Sequence, residues 1–151
     1  NFALVVAITL MCLLIGWRTY VLVQLPILMI STTIGIWLFY VQHNFDPTYW
    51  DNHEGWEFVK AGLQGSSFYK LPLILQWFSG NIGFHHIHHL GSKIPNYNLP
   101  RAYKENPVFH VKPLTIASSL SCLKWRLYDE ANRRLAGWDV LKTYRRKSMT
   151  A

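Results

Sequence analysis

The chain opens on two long apolar stretches and then changes character. Phe2 to Trp17 holds no charge and little polarity. At about 1.5 Å per residue it reaches about 24 Å, short of the roughly 30 Å hydrocarbon core of a bilayer. Gly16-Trp17-Arg18-Thr19-Tyr20 supplies aromatic rings and one charge, and Val21 to Gln42 continues uncharged. The second stretch is long enough to cross a membrane, and the short connection predicts an antiparallel hairpin. Pro26 is expected to kink the second helix, with Ser31, Thr32 and Thr33 available to satisfy freed backbone groups. Neither stretch shows the polar face that two buried helices of a soluble bundle would normally carry.

Beyond Gln42 the pattern is mixed. Pro47 disfavours helical backbone at Asp46, so the main helix ends nearby. Trp56 to Leu63 is weakly amphipathic and reads as a short interfacial helix. Leu71 to Phe78 is apolar but too short to span, and is expected to lie against the bilayer. Pro95 to Pro100 reads as an extended turn, Tyr103 to Pro113 as loop and Leu114 to Leu127 as helix. Asp129 to Arg134 reads as a charged turn followed by a packing segment, and Tyr144 to Ala151 as a basic tail. The predicted fold is an all-α membrane protein, with a transmembrane helix hairpin over 1–42 and a cytoplasmic helical cap over 43–151.

Charge sharpens this division. The 151 residues carry 15 Lys and Arg against 8 Asp and Glu, a net +7, yet Arg18 is the only such residue before His43. Positive-inside reasoning therefore puts everything after Gln42 in the cytoplasm, in a multi-pass membrane protein. The basic residues are scattered and accompany no nucleic-acid motif, so nucleic acid is not an expected partner, whereas anionic membrane lipid is. Cys12 and Cys122 form neither a CxxC pair nor a disulfide framework. The start at Asn1, inside an apolar run without a basic leader, suggests the later portion of a longer protein rather than a signal peptide.

The chemistry concentrates in Gly80-Asn81-Ile82-Gly83-Phe84-His85-His86-Ile87-His88-His89-Leu90. Four of the seven histidines lie there within five positions. On a helix His85, His88 and His89 stand at i, i+3 and i+4, a spacing that converges imidazoles on one metal ion. Neutral imidazole suits iron, zinc, copper or nickel. His86 projects elsewhere, as a supporting residue or a ligand to a neighbouring ion. His43, at the end of the second span, is a candidate because a centre shared with this box would sit just beyond the membrane face. His53 and, through a carboxylate oxygen, Asp46 are further candidate ligands, and His110 is an isolated histidine.

These residues, with Tyr40-Val41-Gln42-His43, Gly65-Ser66-Ser67-Phe68-Tyr69, Leu75-Gln76-Trp77 and Ile94-Pro95-Asn96-Tyr97-Asn98-Leu99, closely resemble the C-terminal half of bacterial-type membrane fatty acid desaturases. The likeness runs from about Arg18 to Gly137, and the family pattern His-x-x-His-His falls on His85, His88 and His89. The resemblance implies two iron ions held by histidine boxes and dioxygen-dependent removal of hydrogen from an acyl chain, leaving a cis double bond. It also implies an acyl-lipid or acyl-CoA substrate and a ferredoxin-like or cytochrome electron donor. The family's first histidine box is not present, and the second is thin, with His43 followed only by His53. On this basis the chain holds part of the ligand set. A di-iron membrane hydroxylase and a non-enzymatic membrane protein that binds zinc or copper are the alternatives.

Overall fold

The computed structural model describes residues 1–52 and 54–150, with side chains as far as Arg146. It divides into two compact units, Asn1–Leu38 and Phe39–Ala151. The first unit is helical throughout. α1 (Phe2–Ile15) has no buried residue and ends at Gly16, whose φ of 81° is the left-handed conformation a side chain would resist. α2 (Trp17–His43) begins at the next residue, so the break is one glycine rather than a polar turn. Among the described residues α2 is the one helix long and apolar enough to cross a membrane. It has 27 residues, and the most apolar window has a mean hydropathy of 1.9 with none of it buried. Burial that low is unlike a core helix of a soluble protein. Pro26 lies inside it. Thr32 and Thr33 donate their hydroxyls to the Leu28 and Met29 carbonyls, and Ser31 to that of Leu28. They therefore do not cap the Leu22 carbonyl that Pro26 leaves without its i+4 donor.

The second unit is built from short pieces that only mutual packing can hold, since isolated helices of this length are not stable in water. It takes in the last turn of α2 and then α3 (Phe58–Gly65), α4 (Leu73–Phe78), α5 (His85–Leu90), α6 (Leu99–Glu105), α7 (Ile116–Ser119) and α8 (Asp139–Thr150). Two small ladders depart from an all-α reading. β1 (Tyr69–Lys70) pairs in parallel with β2 (Leu114–Thr115), and β3 (Leu127–Asp129) pairs antiparallel with β4 (Arg134–Ala136).

Other local expectations are also revised. The stretch 114–127 is a strand, then α7, then a 3-10 turn over Leu120–Lys124. Thr115 ends the strand and caps α7 reciprocally with Ser118, a sharp start that one continuous helix would lack. Pro100 sits in the first turn of α6, where its missing N–H costs nothing, so part of the expected turn and loop is helical. The basic tail forms α8, tied down where Tyr144 donates its hydroxyl to buried Asp129 at 2.7 Å.

Phe68, Phe84, Ile87 and Leu99 form the buried centre, with Ile94, Ala102, Tyr103, Phe109 and Val111 packed on it. Phe68 and Phe84 stack with centroids 4.8 Å apart. Ile87, completely buried, contributes about 2 kcal/mol by burial alone. It points into this core from the middle of α5, which fixes the direction of the histidines on either side.

Candidate metal centre

Three backbone devices set the histidines. The first is the end of α2. Gln42 is buried, donates its side-chain amide to the Ile82 carbonyl at 2.9 Å, and accepts the Ser67 amide on its own carbonyl at 3.0 Å. Tyr40 donates its hydroxyl to the carbonyls of Cys122 and Trp125. The second is the turn before α5, where Gly80 and Asn81 both have positive φ, 62° and 58°. Asn81 is among the residues that tolerate this conformation, and its side-chain amide bonds the Asn96 carbonyl at 3.1 Å. The third is close approach. A Cβ on Gly62 would fall 2.5 Å from Leu90 Cδ2, and one on Gly83 would collide with the Tyr69 carbonyl. These glycines seat α5 against α3 and against β1.

The result is a triangle of Nε2 atoms. His43 to His89 is 3.1 Å, His85 to His43 3.2 Å and His89 to His85 3.0 Å. Protons cannot satisfy all three contacts. A ring nitrogen is either donor or acceptor, never both, so one proton cannot be shared around three nitrogens. His43 Nδ1 lies 2.9 Å from the Phe39 carbonyl, which only accepts, so that nitrogen carries the hydrogen and a neutral His43 offers a lone pair at Nε2. Ligands about 2.0–2.2 Å from one ion on a tetrahedral or octahedral face stand about 2.8–3.6 Å apart. The donor set therefore fits a transition-metal ion, and His43 has the second hydrogen bond that metal-bound imidazoles use for orientation.

Electrostatics agree. Burial, then the nearby charges of His43, His89, His88 and His86 when protonated, hold the His85 pKa down to about 3. Burial and the neighbouring His43 and His88 lower that of His89 as well. Both stay neutral at physiological pH, the form that binds metal.

The other sequence candidates are placed apart from this triangle. The His88 ring lies beside His85, with centroids 5.7 Å apart, but its nitrogens are not in the set. Fully buried His86 turns into the core and donates Nε2–H to the Phe109 carbonyl at 2.9 Å. Its pKa is lowered, chiefly by burial. His110 donates to the Tyr103 carbonyl at 2.9 Å, and Asp46 is exposed outside the cluster. His53 lies outside the described residues. Gln42 was not singled out as a functional position, although a polar residue ending an apolar span beside a candidate ligand is a readable signal.

A membrane-length apolar helix whose last residue meets two histidines of a short buried helix defines the class: a helical protein with a candidate metal centre at the end of a candidate membrane span. The sequence model of the fatty acid desaturase family matches residues 1–115, and the chain belongs to that family. A protein named fatty acid desaturase from Bacillus subtilis (strain 168) is 47% identical over 143 residues, covering 94% of this chain and 41% of the relative. The chain thus spans about two fifths of that relative's length. No solved structure matches it.

Proposed function

We propose that this chain forms part of an oxygen-dependent fatty acid desaturase that introduces a cis double bond into an acyl-lipid or acyl-CoA substrate. The observation that carries the reading is the Nε2 triangle of His43, His85 and His89 at the end of α2. Family membership and the likeness to the Bacillus subtilis relative add to it. Residues 1–42 would form a transmembrane hairpin and 43–151 a cytoplasmic cap, in a multi-pass protein whose basic side faces the cytoplasm.

Iron, bound there, supplies the oxidising power that an unactivated C–H bond requires and that zinc lacks. The stoichiometry is one dioxygen, two electrons from a ferredoxin-like or cytochrome donor and two protons. With the two hydrogens taken from adjacent methylenes, these yield the alkene and two waters. The chain's own residues hold and orient. His43, His85 and His89 supply three ring nitrogens, Phe39 fixes the tautomer of His43, and Gln42 ties the end of α2 to the turn leading into α5. His88, one residue off the triangle, would serve a second ion with histidines outside this set, and His53 is a further candidate ligand. His86 supports the cluster by locking α5 to the core.

The test is expression of the parent gene in a host lacking the corresponding unsaturated lipids, beside an His85→Ala/His89→Ala variant, with membrane fatty acids analysed by mass spectrometry. A new cis-unsaturated chain that vanishes in the variant supports the reading. A hydroxylated chain replaces it with the hydroxylase, and bound zinc or copper without an altered lipid replaces it with a non-enzymatic metal protein.

A further inference from the structure

The second unit exposes apolar side chains in a pattern that its own core does not use. On α4, Leu73 is 89% exposed, Trp77 72% and Phe78 76%, with Ile74 and Leu75 also open. On α7 and the turn after it, Ile116, Leu120 and Leu123 are exposed. The two groups belong to one construction. β1 and β2 run parallel and in register, Tyr69 with Leu114 and Lys70 with Thr115, so α4 and α7 leave the same end of one ladder.

Both groups are also tied to the last turn of α2. Gln42 bonds the Ile82 carbonyl, four residues beyond Phe78, and Tyr40 and Asn44 bond the Cys122 carbonyl, between Leu120 and Leu123. Four residues extend at most about 14 Å. Neither segment contains Asp, Glu, Lys or Arg over 71–92 or 113–123, yet exposed lysines bracket both, Lys70 and Lys93 on one, Lys112 and Lys124 on the other. Uncharged apolar surface with aromatic rings, ending in lysines, matches the interface of a bilayer. The rings and aliphatic chains enter below the headgroups, and the ammonium groups stay among the phosphates.

We infer that α4 and the α7 segment form an apolar collar, set beside the last turn of α2, that inserts into the interfacial layer of an anionic bilayer and fixes the histidine triangle at headgroup depth. This goes beyond the reaction proposed above and rests only on the part of that reading in which α2 crosses the membrane. An inserted collar sets the height of the metal ligands above the acyl chains independently of the length of α2.

The test uses the whole unmodified protein in vesicles containing phosphatidylglycerol, with two labels mapped by mass spectrometry. One is a diazirine carried on a phospholipid acyl chain, the other hydroxyl radical generated in the water. Residues 27–34 of α2 serve as the lipid control and Trp138 as the aqueous control. The expected result is diazirine on Leu73 to Phe78 and on Leu120 to Leu123, with oxidation of Trp77 and Phe78 lost relative to Trp138. Diazirine yield on the collar should fall several-fold in vesicles of phosphatidylcholine alone, and an equal yield would overturn the role of the lysines. Oxidation of Trp77 to the extent of Trp138 overturns the collar, and so does absence of both labels, which would mean protein covers it. Failure of the lipid control instead removes the membrane reading of α2.

Discussion

His43 can join the cluster because Phe39, one turn earlier on the same helix, accepts the hydrogen of its other nitrogen. Substituting His43, His85 or His89 by Ala should therefore each remove about one equivalent of bound metal, measured by plasma mass spectrometry on the purified protein. His88→Ala should leave that ion in place, and His86→Ala should keep it while lowering stability by about 2–4 kcal/mol, through a core cavity and an orphaned Phe109 carbonyl. Equal metal loss in all five would mean that the triangle is not a separate site.

The pH dependence follows from His85. Its pKa is about 3 in the folded protein against an ordinary 6.5, so between these values the unfolded chain binds the extra proton. Stability of the metal-free protein should fall as pH drops from about 6.5 toward 3, and thermal unfolding in detergent should show a shallower fall in His85→Phe. The i, i+4 relation of His85 and His89 was legible in the sequence because it needs only helical periodicity. The exclusion of His88 was not. His43 approaches on the side shared by His85 and His89, about 80° around the helix from His88, and that direction depends on a residue more than forty positions away.

At the scale of elements, the glycines that face α5 and the turn before it act as spacers whose partners decide what a side chain would do. Gly62 faces the flexible end of Leu90, whereas Gly83 faces the backbone carbonyl of Tyr69. Gly83→Ala should cost about 1–3 kcal/mol and reduce metal content, because backbone cannot yield. Gly62→Ala should be milder, and Leu90→Ala should relieve its clash, so a double-mutant cycle on thermal stability should show favourable coupling for that pair. Coupling of similar size between Gly83→Ala and Leu90→Ala would refute the assignment. The strand that approaches Gly83 could not be read from the sequence. β1 and β2 are two residues each and carry no alternating pattern long enough to read, and their pairing joins positions 45 apart. For the same reason the stretch 114–127 resembled one helix, although Thr115 and Ser118 hold the features of a helix start. The anchoring of α8 was not legible, because Tyr144 bonds Asp129, 15 positions away in the sequence.

Across the molecule, the second unit takes in the last turn of α2 and grips it. The grip has two layers. Hydrogen bonds from Tyr40, Gln42 and Asn44 reach the turn before α5 and the segment after α7, and the histidine triangle joins the same turn to α5 itself. The first layer needs no metal. The second, without an ion, brings three ring nitrogens to 3.0–3.2 Å, where no placement of hydrogens satisfies all three contacts. Metal removal should thus loosen one seam and spare the rest. In hydrogen-exchange mass spectrometry of the detergent-solubilised protein, chelation should speed exchange in 39–44 and 85–90. The β3–β4 hairpin and α8, held by Asp129 with Asn132 and Tyr144, should be unchanged. Faster exchange throughout Phe39 to Thr150 would make the ion a requirement for folding the whole unit, and no change at 39–44 would remove His43 from the centre.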